Sequence, residues 1–256
     1  MDAGPPRHSR PAPTRCQPPH RPDSTSPTAQ GRQHRSEISA PVSSPGPAAA
    51  HPGGLPTVNH VRDVPWWGVI SSAAAPVLLV SGWSAAASLQ PRFDQVADTV
   101  SALAAPGATD RWVMTLTFLV VGGCYIVTAL ALRPAGPAGR LILIIGALAG
   151  MLVAANPEHP NDAYPLPHIL VASLGFAGLV TWPAGAWRRG PATPWGLRPA
   201  VAAVAVAVLF TLVVWFGAEL ILGFGQAGLA ERVAGAAQAL WPLAVVLSCV
   251  WRQKAV

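Results

Sequence analysis

Apolar residues in this chain fall into long unbroken runs, at 66–89, 112–132, 141–155, 168–187, 199–222 and 233–251. A helix that crosses a hydrocarbon core needs about 20 such residues, with roughly 17–25 tolerated. The third run is short, so its helix is expected to take in Arg140 and Pro157. The pattern predicts an all-α, polytopic bundle of six transmembrane helices, with spans at 66–89, 112–132, 140–157, 168–187, 199–222 and 233–251. Membrane strands would alternate apolar and polar positions, and these runs do not. Pro76, Pro183 and Pro242 sit inside runs and are expected at helix kinks. The small-residue spacing of Gly146 and Gly150 marks a helix-packing face.

Composition supports lipid as the solvent. Of 256 residues, 51% are hydrophobic and 11% charged, against about 25% charged in soluble domains. The net charge is +6. The arginines sit in the N-terminal segment and in the gaps between apolar runs. Nucleic-acid binders instead gather basic charge on one soluble face, so the charge is read as membrane topology and no nucleic-acid partner is expected. Cys16, Cys124 and Cys249 have neither metal nor disulfide spacing.

Residues 1–62 differ from the rest. The first 60 residues hold 13 of the 28 prolines and 5 of the 7 histidines, with almost no aliphatic clusters. Such a stretch cannot bury enough apolar area to offset the entropy of ordering, so a disordered tail is expected, followed by a membrane domain over 63–256. No apolar segment of the kind found in signal peptides precedes Pro65.

Orientation follows from Arg and Lys near the span ends. One set of gaps holds Arg62, Arg133, Arg140, Arg188, Arg189, Arg198, Arg252 and Lys254; the other holds Arg92, Arg111 and Arg232. The positive-inside rule places the richer set, and with it both termini, in the cytoplasm. Nearly all acidic residues of the membrane domain then face outward.

Polar candidates concentrate on that outer side. In 90–104, Phe93, Val96, Val100 and Leu103 recur at helical spacing opposite Asp94, Asp98 and Ser101, which predicts a short amphipathic surface helix. Glu158, His159, Asp162 and His168 are metal ligands by type. Their spacing matches no metal motif, so neither a metal nor a cofactor is expected. Glu219 and Gln238 are polar positions within spans, where a carboxylate is costly and points inward or is paired. Arg111 and Arg232 are expected to pair with carboxylates from other helices, chosen among Asp98, Asp110, Glu219 and Glu231. The candidate polar cluster is therefore Asp98, Ser101, Asp110, Arg111, His168, Glu219, Glu231 and Arg232.

Several of these stretches look familiar together. Val100-Ser-Ala-Leu-Ala, then Asp110-Arg-Trp-Val-Met-Thr115 and Gly122-Gly123, resembles the bacterial membrane proteins grouped as domain-of-unknown-function family 998. So do Gly139-Arg140, His168 with Trp182-Pro183, and Gly228-Leu-Ala-Glu-Arg232 with Trp241. The resemblance covers roughly residues 65–252. It implies six spans and a bacterial cytoplasmic membrane, and it brings no established activity.

Three function classes remain. The leading one is a non-enzymatic membrane protein that binds or senses a lipid or small hydrophobic ligand at an outward polar site, with membrane lipid as its surroundings. The second is an intramembrane metal-dependent lipid hydrolase using His168, His159 and a carboxylate. The third is a secondary transporter, which repeated halves and broken helices would favour; the sequence has no clear repeat. No nucleotide-binding motif is present.

Overall fold

A computed structural model describes residues 63–158 and 165–254. The expected tail lies outside them, as do Arg62, His159 and Asp162.

Six α-helices account for the apolar runs: α1 (Trp66–Ser88), α2 (Trp112–Ala131), α3 (Pro137–Ala155), α4 (Leu166–Ala186), α5 (Pro199–Leu222) and α6 (Ala227–Lys254). All six are long and apolar enough to cross a membrane, and there is no strand among the described residues. The fold is the expected all-α, six-span bundle.

Boundaries moved where proline geometry or hydrogen bonding overrides hydropathy. The third helix begins at Pro137 and ends at Ala155. Proline suits the first helical turn, where its missing N–H has no partner to lose, and Pro157 disfavours helical geometry at Asn156. The sixth helix begins at Ala227, six residues before the expected start. Glu231 and Arg232 therefore lie inside it. Hydropathy had placed these charges outside the span because it ignores hydrogen bonds, and both side chains are hydrogen-bonded by the α1–α2 loop.

Packing follows chain order. Each helix packs on its sequence neighbours, and α6 closes the circle against α1. The result is a ring. The described connections gather at two ends. At one end, the α1–α2 loop meets the start of α6. At the other, the α4–α5 connection meets both the α2–α3 turn and the last part of α6.

The α3–α4 seam is the tightest part of the ring. Gly146 and Gly150 face Gly178 and Gly175, so the predicted small-residue face is an interface. A Cβ built on Gly178 would stand 2.6 Å from Gly146 Cα, whereas one on Gly123 meets nothing within 4 Å. Pro76, Pro183 and Pro242 lie buried within α1, α4 and α6.

At the arginine-rich end, guanidinium groups cap helix carbonyls. Arg140 Nε donates to Ala129 O at 2.7 Å and its Nη2 to Leu130 O at 3.2 Å, at the C-terminal turn of α2. Arg188 donates to Pro134 O and Ala135 O in the following turn. Free carbonyls at a helix C-terminus favour cations.

Gly178→Ala is expected to destabilise the protein by about 1–3 kcal/mol, because backbone must move to admit the methyl group. Gly123→Ala should leave stability unchanged or raise it slightly, since alanine is the better helix former. Thermal unfolding in a mild detergent distinguishes the two.

Candidate functional site

The first loop does not form the amphipathic helix expected of it. Residues 93–100 are irregular, with a turn at 95–97, and are followed by a single 3₁₀ turn, Ser101–Ala104. Its own carboxylates account for the difference. Asp94 Oδ1 accepts the Val96 amide at 2.8 Å, and Asp98 Oδ2 accepts the Asp94 amide at 2.9 Å. Aspartates that bond nearby amides compete with helix formation. The carbonyls of residues 95–98 and the Val100 amide turn to α6.

That docking is extensive. The first N–H groups of a helix have no partner within it. Here Gly228 N–H donates to Ala97 O at 3.2 Å and Leu229 N–H to Val96 O at 2.9 Å. Glycine is required at 228, because a Cβ there would collide with the Asp98 carbonyl. One turn further on, Glu231 and Arg232 grip the same loop. Val100 N–H donates to Glu231 Oε2 at 2.6 Å and Ser101 Oγ to Glu231 Oε1 at 3.3 Å. Arg232 Nη1 donates to the carbonyls of Gln95, Asp98 and Gly228 at 2.8–2.9 Å. The Phe93 ring lies 5.5 Å from the guanidinium carbon. Arg232 Nε and Nη2 are buried without partners.

The expected crossed ion pairs do not form among the described residues. The one ion pair there joins His168 Nε2 to Glu158 Oε1 at 3.0 Å. The Arg232 guanidinium is solvated by backbone carbonyls, two from the loop in its turn conformation and one from Gly228 of α6 itself. Arg111 is exposed at the start of α2, and Asp110 is exposed beside it. Asp110 takes a left-handed backbone, φ 49°, and accepts the Trp112 indole N–H at 3.2 Å.

The eight candidates therefore divide. Ser101, Glu231 and Arg232 meet directly, and Asp98 joins them through its backbone carbonyl. Glu219 serves another joint: it is 6% exposed and accepts the Trp215 indole N–H at 3.2 Å and the Gln226 amide at 3.0 Å. That ties the end of α5 to the start of α6. His168 is buried at the start of α4, with acceptors at both ring nitrogens: Asn156 O at 2.8 Å and Glu158. No group of three His, Cys, Asp or Glu suited to a metal gathers among the described residues.

Beneath the docked loop lies a cavity of about 120 Å³, walled by α1, α2, α3, α4 and α6. One water needs roughly 10–15 Å³, so there is room for part of an organic ligand. Glu231 and Ser101 belong to its wall, with Tyr125 and Gln238. The rest is apolar and includes Trp83, Phe118 and Phe176. Gln238, expected to face inward, is 1% exposed and donates to Phe176 O at 3.3 Å. Trp83 and Tyr125 were missed from sequence, because an aromatic residue inside an apolar run carries no signal of which way it turns.

The model of the family described as "Protein of unknown function (DUF998)" matches residues 73–248, well over half of the chain. The chain belongs to the DUF998 family. No curated protein and no solved structure matches it. In this DUF998 chain the matched segment takes in the whole cavity wall, the docked loop and the start of α6.

Glu231→Ala is expected to strip acceptors from Val100 and Ser101, at about 1–3 kcal/mol for each buried donor left unmet. Hydrogen exchange should quicken at 96–101 and at the first amides of α6. Arg111→Ala, at an exposed position with no ion-pair partner among the described residues, should change stability by no more than about 0.5 kcal/mol. Equal effects of the two substitutions would contradict the docked loop.

Proposed function

We propose that this protein binds or senses a lipid or small hydrophobic ligand in the central cavity, with the ligand's polar group at Ser101 and Glu231. The observation that carries this reading is the composition of the wall: apolar and aromatic along most of its length, with carboxylate, hydroxyl and amide groups at a few fixed points. Amphiphile sites have this character, a mostly apolar hollow whose few polar groups set orientation. Glu231 accepts hydrogen bonds, so the head group it suits is a donor, a hydroxyl or an amine.

A photoreactive monoacylglycerol carrying a diazirine in a C12 chain tests the reading in native membranes. Labelled peptides should map to α2, α3, α4 and α6. Gly150 lines the cavity, and a Cβ built there meets nothing within 4 Å. Gly150→Leu should therefore fill the space and lower labelling about tenfold or more, while the protein keeps its melting temperature. Labelling that ignores Gly150→Leu would refute binding in the cavity.

The cavity's polar end is proposed to face outward across a bacterial cytoplasmic membrane. The bias of arginines toward the opposite end supports this orientation. In a chain with its native cysteines replaced, a cysteine at Ala163 should react with an impermeant reagent on intact cells. One at Ala192 should be shielded. The reverse pattern would invert the protein.

A further inference from the structure

The arginine-rich end carries a second arrangement, separate from the central cavity. The connection between α4 and α5 contains a 3₁₀ turn, Trp195–Leu197, pinned to α6. Gly196 N–H donates to Ser248 Oγ at 3.3 Å, and Ser248 Oγ donates to Val245 O at 2.7 Å. The Trp195 and Trp241 rings meet edge to face, with centroids 6.2 Å apart. These contacts fix Trp195 at the junction of two hollows.

One hollow, of about 250 Å³, is lined by Arg198, Arg252 and Trp251 beside Trp195. Both arginines are exposed, and neither is ion-paired among the described residues. The other is an apolar groove of about 420 Å³ between α5 and α6, running from Val201 to Leu209 and walled on one side by Trp241. Over that length the helix rises about 12 Å. Trp195 lines both hollows.

We infer that this surface binds an anionic phospholipid, its phosphate between Arg198 and Arg252 and one acyl chain in the α5–α6 groove. Charge selects the occupant. Arg188, Arg189 and Lys254 lie at the same end, and Asp63 is the sole acidic residue there among the described residues. A zwitterionic head group would bring a cation into this field, whereas an anionic one brings none. Guanidinium groups bind phosphate through paired N–H donors, and basic pockets between membrane helices are suited to anionic head groups. The apolar groove joined to the basic hollow asks for a chain on the same molecule, which free phosphate lacks. The pinned turn holds Arg198 and Trp195 in place before binding, which lowers the ordering cost.

The test uses the full chain, purified and delipidated in a nonionic detergent. Its melting temperature is followed during titration with phosphatidylglycerol, phosphatidylcholine or sodium phosphate. Phosphatidylglycerol is expected to stabilise at the lowest concentration. Replacing Arg198 or Arg252 with Gln should weaken its apparent affinity by about fivefold each, and by roughly twenty-five-fold together. Neither side chain is buried, so the variants should keep the unliganded melting temperature. Val204→Trp, at an exposed position on the groove wall, should weaken phosphatidylglycerol while leaving the arginines intact. Equal stabilisation by phosphatidylcholine would overturn the inference, as would a phosphatidylglycerol effect that survives the double substitution. Stabilisation by sodium phosphate to the same extent would make this a site for free anion and overturn the lipid assignment.

Discussion

Buried backbone at the start of α6 is the constraint around which the rest of the fold is arranged. A helix that begins in a poorly solvated place exposes N–H groups that need partners. In this protein they are met from across the bundle, by carbonyls of Val96 and Ala97. The loop that supplies them must stay unwound, and Asp94 and Asp98 hold it in turns. Its own unwound backbone then needs acceptors and donors, which Glu231 and Arg232 provide. The two partners satisfy one another. The same docking puts Ser101 and Glu231 into the cavity wall and closes the ring of helices between α6 and α1.

This reciprocity explains why charges persist inside a helix long enough to span. A carboxylate or guanidinium within hydrocarbon is costly. Glu231 and Arg232 are 7% and 8% exposed, yet their bonds run to backbone and to Ser101, and among the described residues no opposite charge closes on either as an ion pair. Carbonyl dipoles do for Arg232 what a carboxylate was expected to do. The guanidinium keeps Nε and Nη2 without partners, so it is held more by position than by complete hydrogen bonding.

The sequence made the coarse architecture legible because hydropathy depends on local composition alone. The span 199–222 is apolar but for Thr211 and Glu219, and α5 occupies it without change. Errors arose where a distant partner decides. The first loop has a helical stripe in its letters, but the backbone conformation is chosen by aspartate turns and by α6, more than a hundred residues away. The start of α6 was placed late for the same reason, since nothing near Glu231 in the chain says that Val100 will meet it. Of the candidate cluster, Ser101, Glu231 and Arg232 were found in one place. Arg111 and Asp110 share an end of the bundle with them but stand exposed. The two stretches that meet, 100–104 and 228–232, also carried the family resemblance, although their contact could not be read from either.

The circular order of the helices has a consequence for how the protein is made. Every extensively packed pair of helices but one joins consecutive helices, so a chain threaded into the bilayer can settle each newcomer against the helix just released. The exception is the closure of α6 on α1, which spans nearly the whole domain and waits for the final segment. Until then the α1–α2 loop lacks its partners on α6, the cavity lacks one wall, and Glu231 has not yet arrived. A chain arrested before residue 227 would be an open arc of helices with neither the clasp nor the chamber, since both need residues of α6.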